Sequence, residues 1–165
     1  MSRYVVVGNS GSGKSTLALR LARDEGLSHL DLDTLAWDPG PRRRDLAESA
    51  REIERFMDAH ESWVIEGCYA DLAQLALPRC TKLLFLDPGV EACIAHACAR
   101  PWEPHKYASK EEQDKNLEML IDWIRGYETR DDVLSRKAHC ALFDGFAGDK
   151  AALTSSEAIA AFQRA

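Results

Sequence analysis

Apolar residues fall into two alternating rhythms along the chain: short unbroken runs, and longer stretches in which they recur at helical spacing. "RYVVV" (3–7) is a β-branched run, the pattern of a strand covered on both faces in a parallel sheet. "KSTLALRLARDEG" follows, with Leu17, Leu21 and Ala18, Ala22 at helical spacing and Gly26 as the C-terminal stop. The next strand is "HLDLD" (29–33). A helix over 43–60 carries the stripe Leu46, Ala50, Ile53, Met57 and leads to the strand "SWVIEG" (62–67). "KLLFLD" (82–87) is a fourth strand and "VEACIAHACAR" (90–100) a further helix. The two prolines of "PWEPHKY" interrupt any helix there. Ser109 and Glu112 form a capping box for a helix through Leu117, Leu120, Ile121 and Ile124. "CALFDG" (140–145) reads as the last strand, and "TSSE" (154–157) as the capping box of a terminal helix.

Five alternations of strand and helix specify an α/β fold, with a five-stranded parallel sheet, helices on both faces and right-handed crossovers. At 165 residues, 45% of them hydrophobic, one core and one domain over 1–165 are expected. Basic and acidic residues number 21 and 27, a net charge of −6, so no global positive field exists to hold a polyanion and nucleic acid is a poor default partner. No apolar run approaches the length of a membrane span, and the first strand at residue 3 leaves no room for a leader; a cytoplasmic protein is expected, and a monomer is the simplest state. Five cysteines, Cys68, Cys80, Cys93, Cys98 and Cys140, suit free thiols in a reducing compartment. Cys93, His96, Cys98 and His105 lie close together, but on one helix Cys93 and His96 share a face while Cys98 points well away from Cys93, which speaks against a zinc site.

"GNSGSGKST" changes the picture from fold to chemistry. Gly8, four residues, Gly13, Lys14 and Ser15 match the phosphate-binding loop pattern, between a strand and a helix as that loop requires. Gly8, Gly11 and Gly13 let backbone N–H groups of the loop, with Ser10 and Ser12, turn toward phosphate oxygens, and the helix start adds its positive end. Lys14 reaches the terminal phosphates, and the Ser15 hydroxyl is a magnesium ligand. Thr16 either faces the base or packs. ATP and Mg2+ are the implied cofactors.

Carboxylates gather at the carboxyl ends of the strands, where open parallel sheets bind ligands. Period two places Asp31 and Asp33 on one side of the second strand, where they could orient an acceptor hydroxyl; the alternative is that they cap the turn into "TLAW". Glu66 and Asp87 each end an apolar run and compete for the acidic position beside magnesium, and only one is expected next to the loop strand. The strand order of small phosphoryl-transfer kinases, 2-3-1-4-5, selects Glu66, acting through water, and leaves Asp87–Pro88 to shape a turn. Trp37 and Tyr69 are candidates to line an acceptor pocket with Gly67, and "RRR" (42–44) reads either as a grip for an acidic substrate or as a solvated cluster.

With "HLDLDTLAW", "WVIEGCY" and "KLLFLD", the glycine loop resembles the small adenylate-kinase-like bacterial proteins labelled DNA topology modulation proteins, and more distantly the shikimate kinases, over residues 3 to 100. The resemblance implies a P-loop NTPase three-layer sandwich with a helical substrate-binding segment near 34–60, a lid near 100–130, and transfer of the ATP γ-phosphoryl group to a small hydroxyl- or phosphate-bearing acceptor. Where the family reads Asp-Gly-Asn-Tyr, this chain has Glu66, Gly67, Cys68, Tyr69. Lys14, Asp33 and Arg100 become the candidate catalytic residues, with Arg125 and Arg130 as further lid donors. "DGFAGDK" (144–150) is placed near the adenine. A regulatory P-loop ATPase acting on DNA or a protein partner is the alternative.

Overall fold

The computed structural model describes residues 1–40 and 42–163. Strands run over Arg3–Gly8 (β1), Ser28–Asp31 (β2), Trp63–Gly67 (β3), Lys82–Leu86 (β4) and Asp149–Leu153 (β5). They form one parallel sheet in the order β2-β3-β1-β4-β5. The helices are α1 (Lys14–Glu25), α2 (Asp33–Ala36), α3 (Leu46–Ala59), α4 (Ala70–Ala76), α5 (Val90–Ala99), α6 (Lys110–Arg125), α7 (Arg136–Gly145) and α8 (Ser156–Ala161).

β1 explains the layering. Its side chains alternate between two cores: Val5 and Val7 pack with Ile53, Met57, Leu72 and Phe143 from α3, α4 and α7, whereas Tyr4 and Val6 pack with Leu17, Leu21 and Ile159 from α1 and α8. A strand buried on both sides must be apolar throughout, which is why "RYVVV" shows no alternation. A third, smaller cluster joins α5 to α6 through Cys93, Ala97, Ile124 and Leu120, outside the main sandwich. Gly26 closes α1 in the left-handed conformation at φ 68°, its N–H donating to Ala22.

Several expectations need correction. "CALFDG" is not a strand; it is the C-terminal half of α7, whose apolar residues face the sheet, and β5 begins at Asp149. The loop 144–150 therefore enters the amino end of β5, away from the carboxyl ends, and the adenine position expected of it is not built there. The terminal capping box is shifted by one: Ser155, not Thr154, accepts from the Ala158 N–H at 3.0 Å. β2 stops at Asp31, so Asp33 lies in the first turn of α2 and not on a strand face with Asp31. The turn is set by Leu32, fully buried, whose N–H donates to Glu66 O at 2.9 Å. On α3 the buried stripe runs through Ser49, Ile53 and Met57; Leu46 is exposed, and Ser49 spends its hydroxyl on Leu35 O at 2.8 Å. Both acid-tipped strands, β3 and β4, flank β1, so adjacency alone does not separate Glu66 from Asp87.

α7 is fastened to the sheet by a buried polar chain. His139 Nε2 donates to Cys68 O at 2.7 Å, which leaves Nδ1 to accept from the Tyr127 hydroxyl at 2.6 Å, so the ring is neutral. Burial pushes the His139 imidazole down to about 4, and it pushes the Cys68 thiol up to about 11. An unfolded imidazole near 6.5 takes up a proton that the folded one refuses, so this stabilisation is complete above that pH and is lost as pH falls toward 4. From this single group the expected loss is on the order of 3 kcal/mol. Urea midpoints measured between pH 7 and pH 4 should fall in the native chain and be markedly flatter in His139→Gln.

Candidate active site

The glycine loop sits at the carboxyl end of β1 because two close approaches demand residues without a side chain. A Cβ on Gly8 would stand 2.5 Å from Leu86 O, and one on Gly11 would stand 2.5 Å from Cys93 O. Gly11 and Gly13 also adopt φ values of 77° and 98°, the left-handed region that glycine enters without strain. Helix α5 thus presses against the loop's outer side, and His96 Nδ1 donates to Gly11 O at 2.7 Å. Inside the loop the Ser12 hydroxyl and Asn9 Oδ1 are buried with no partner, and buried polar atoms of this kind are expected where a ligand supplies the missing bond. Lys14, only 9% exposed, donates from Nζ to Asn9 O at 2.7 Å. The N-terminal turn of α1 opens at Gly13, adding its positive end. Ser10 is half-buried at the loop's tip.

Beside this cradle a cavity of about 580 Å³ is lined by Gly11, Ser12, Gly13, Thr16, Arg20, His96, Arg100, Pro101 and Ile159. Thr16 and Arg20, one helical turn apart on α1, form one wall. Arg20 donates from Nη1 to Phe162 O and from Nη2 to Ile159 O, both at 2.8 Å, holding α8 against the cavity. His96 Nε2 lies 3.3 Å from Ser156 Oγ and joins the segment after β5 to the loop. Arg100, the residue that ends α5, lines the same cavity. Arg20, His96 and Ser156 escaped sequence reading, although the four-residue spacing from Thr16 marks Arg20 as facing the same way.

Across the loop the carboxylates separate into distinct duties. Glu66, 2% exposed, accepts from Ser15 Oγ at 3.0 Å and lies 3.2 Å from His29 Nε2. Asp87, in the connection between β4 and α5, takes Nε and Nη2 of Arg136 at 3.0 and 2.8 Å, an ion pair anchoring α7. Asp31 Oδ1 accepts from the Asp33 N–H at 2.9 Å, so Asp31 caps the turn. Burial raises the Asp31 carboxyl, and the neighbouring charge of Glu66 raises it further. Asp33 accepts from the Tyr69 hydroxyl, and Tyr69 OH accepts in turn from Trp37 Nε1 at 2.9 Å. Burial raises the Tyr69 phenol, which therefore stays protonated. Gly67 is closed on its Cβ side by Leu32, 2.8 Å away, so its smallness serves packing of the α2 turn.

The arginine trio is largely paired. Arg43 Nη2 meets Asp71 Oδ2 at 3.0 Å, and Arg44 Nε lies 3.6 Å from Asp38 Oδ1. Of the two further arginines expected to act from a lid, Arg125 pairs with Asp122 at 3.8 Å on an exposed face. Arg130 stacks on Trp123 at 3.7 Å, donates to the Trp123 carbonyl and keeps a buried Nε without a partner.

Comparison with known proteins adds the fold's relatives. A gluconokinase from Sinorhizobium meliloti 1021 superimposes with a TM-score of 0.58 at 17% identity, covering 96% of this chain and 85% of that one. A sugar kinase from Janibacter sp. HTCC2649 gives 0.51 at 20% identity over 93% and 86% of the two chains. The chain has the P-loop kinase fold. No protein-family profile matches it. The uncharacterized protein YqaC of Bacillus subtilis (strain 168) is 32% identical over 63 residues, 38% of this chain and 35% of that relative's length. The specific DNA topology modulation family therefore gains no support beyond the shared P-loop kinase fold. Among the described residues no helix is long and apolar enough to cross a membrane.

Gly11→Ala tests the loop's packing. It adds a Cβ at 2.5 Å from Cys93 O in the left-handed region and should lower unfolding stability by about 1–3 kcal/mol, read from chemical denaturation.

Proposed function

We propose that this protein is an ATP-dependent small-molecule kinase, moving the γ-phosphoryl group to a hydroxyl of a small acceptor bound over the carboxyl ends of β2 and β3. The observation that carries the reading is the meeting of two half-sites. A phosphate cradle with unpartnered buried polar atoms stands beside Ser15–Glu66, and a carboxylate, Asp33, is held by Tyr69 just past the carboxyl end of β2, the strand paired with the one that bears Glu66. The kinase descriptions of both structural neighbours favour it.

In this reading the cavity beside Thr16, Arg20 and Ile159 receives the purine, and Arg100 flanks it. The loop amides, Gly8 to Thr16, and Lys14 hold the triphosphate. Ser15, with Glu66 acting through water, would hold Mg2+, whose charge offsets that developing on the phosphoryl oxygens; the donor set is hard oxygen, as that ion prefers. Asp33 accepts the proton of the acceptor hydroxyl as its oxygen bonds to the γ-phosphorus and ADP departs. Tyr69, protonated and donating to Asp33, leaves the second carboxylate oxygen for that hydroxyl. Asp31 shapes the turn that presents Asp33. Arg100, which lines the cavity beside the glycine loop, would steady the transferring group.

ADP release measured over a panel of alditols, sugars, sugar acids, nucleosides and nucleotides, with Lys14→Met as the blank, should reveal an acceptor that raises turnover above the water background. Tight nucleotide binding with no acceptor stimulation would favour the regulatory ATPase instead. Asp33→Asn should lower kcat by about 100- to 10,000-fold and leave ATP affinity, read by calorimetry, within about twofold. Equal loss of both would move Asp33 from the acceptor to the magnesium shell.

A further inference from the structure

A phosphate cradle made of main-chain amides works only if the main chain holds its shape before the nucleotide arrives. Gly11 is the position least able to hold it alone. A Cβ there would meet Cys93 O at 2.5 Å and its φ is 77°, so no stiffer residue fits, and glycine leaves the adjoining peptide planes free to turn. The carbonyl of Gly11, a buried residue, takes a hydrogen bond from outside the loop: His96 on α5 donates from Nδ1 at 2.7 Å. A carbonyl only accepts, so the proton sits on Nδ1, and Nε2 of the neutral ring is left to accept from Ser156 Oγ at 3.3 Å. The imidazole is thus clamped between the loop and the segment after β5.

That clamp reaches the phosphate side through one peptide plane. In a trans peptide the C=O and the following N–H point in opposite directions, so holding Gly11 O against α5 turns the Ser12 N–H toward the inside of the loop. There it meets Asn9 O at 3.1 Å, and the same oxygen receives Lys14 Nζ at 2.7 Å. Ser12 also carries one of the buried polar atoms without a partner. A rotation of the Gly11–Ser12 plane would therefore break the bond to Asn9 O and disturb the shared seat of Ser12 and Lys14.

We propose that His96 is a positioning residue for triphosphate binding: its Nδ1–H holds Gly11 O and thereby keeps the amide and lysine donors of the loop set for the phosphate chain. It lines the cavity, yet it acts through Gly11 and not on the base. This rests on the phosphate cradle of the kinase reading and is independent of the acceptor. Preorganisation of this kind lowers the ordering that the nucleotide must otherwise bring about when it binds.

Two probes test it by calorimetry: MgATP, and magnesium tripolyphosphate, which has the phosphate chain and no base. His96→Ala should weaken both by about tenfold, the order expected for one lost hydrogen bond, so that their ratio stays as in the native chain. His96→Asn, whose amide N–H falls near the position of Nδ1, should restore both to within about threefold of native. Melting temperatures of the unliganded variants are recorded alongside. A loss confined to MgATP makes His96 a base contact and overturns the proposal. So does a lowered melting temperature with both affinities intact, which makes it packing alone, and so does an Asn variant as weak as the Ala variant. Should His96→Ala not fold, His96→Gln, whose amide falls near Nε2 and Ser156 instead, replaces it: a Gln variant that binds both probes as tightly as the Asn variant overturns the proposal. A native chain that binds neither probe overturns the phosphate cradle itself, and with it the kinase reading; binding of both without acceptor stimulation of ADP release would remove the kinase reading and leave the role of His96 standing.

Discussion

Contact between the glycine loop and two carbonyl oxygens, those of Leu86 and Cys93, is the constraint on which the remaining architecture depends. It ties the carboxyl end of β1 to β4 on one side and to α5 on the other, at distances no side chain would tolerate. Once the loop is seated there, α1 must start at Lys14 and run back beneath the sheet, and His96 must face Gly11. The rigid main chain then provides what a mobile side chain could not, a fixed ring of N–H groups whose orientation does not have to be reset when charge arrives. Burial of β1 in two cores at once secures this arrangement from behind.

The loop, its flanking strand and the alternation of elements were legible in the order of residues because each is local: glycines, a β-branched run and a helical stripe identify themselves within about a dozen positions. β5 was not. "DKAAL" opens on two charges and carries alanines, poor strand formers, and it becomes a strand because β4 pairs with it residue for residue and Lys82 meets Asp149 at 3.0 Å. "CALFDG" misleads for the opposite reason: its apolar residues are dense enough to read as a strand, yet their spacing also serves a helix lying on the sheet.

The candidate site was legible as a set of residue types and illegible as a network. Asp33, Trp37 and Tyr69 could each be suspected of facing the crevice, but the chain of donors from Trp37 through Tyr69 to Asp33 spans 32 and 36 positions and joins the end of α2 to the residue that opens α4. Arg43 with Asp71, 28 apart, and His96 with Ser156, 60 apart, belong to the same class of non-local pairing. Glu66 and Asp87 are likewise told apart by partners outside their own strands: Arg136, 49 positions away, occupies Asp87, and Ser15 occupies Glu66.

Asn9 donates from Nδ2 to Ile124 O at 3.3 Å, pinning the loop to the last turn of α6. That helix has 16 residues, and its far end at Lys110 lies about 21 Å from the pinned Ile124. A pivot so close to one tip makes the helix a lever of unequal arms. Tilting it by about 20° would sweep "PWEPHKY" through roughly 7 Å, by the same rise per residue, while Asn9 scarcely stirs. Any swing of the outer segment would also drag Leu117 and Leu120 across α5, the helix whose Cys93 carbonyl presses on Gly11, so it is mechanically coupled to the glycine loop.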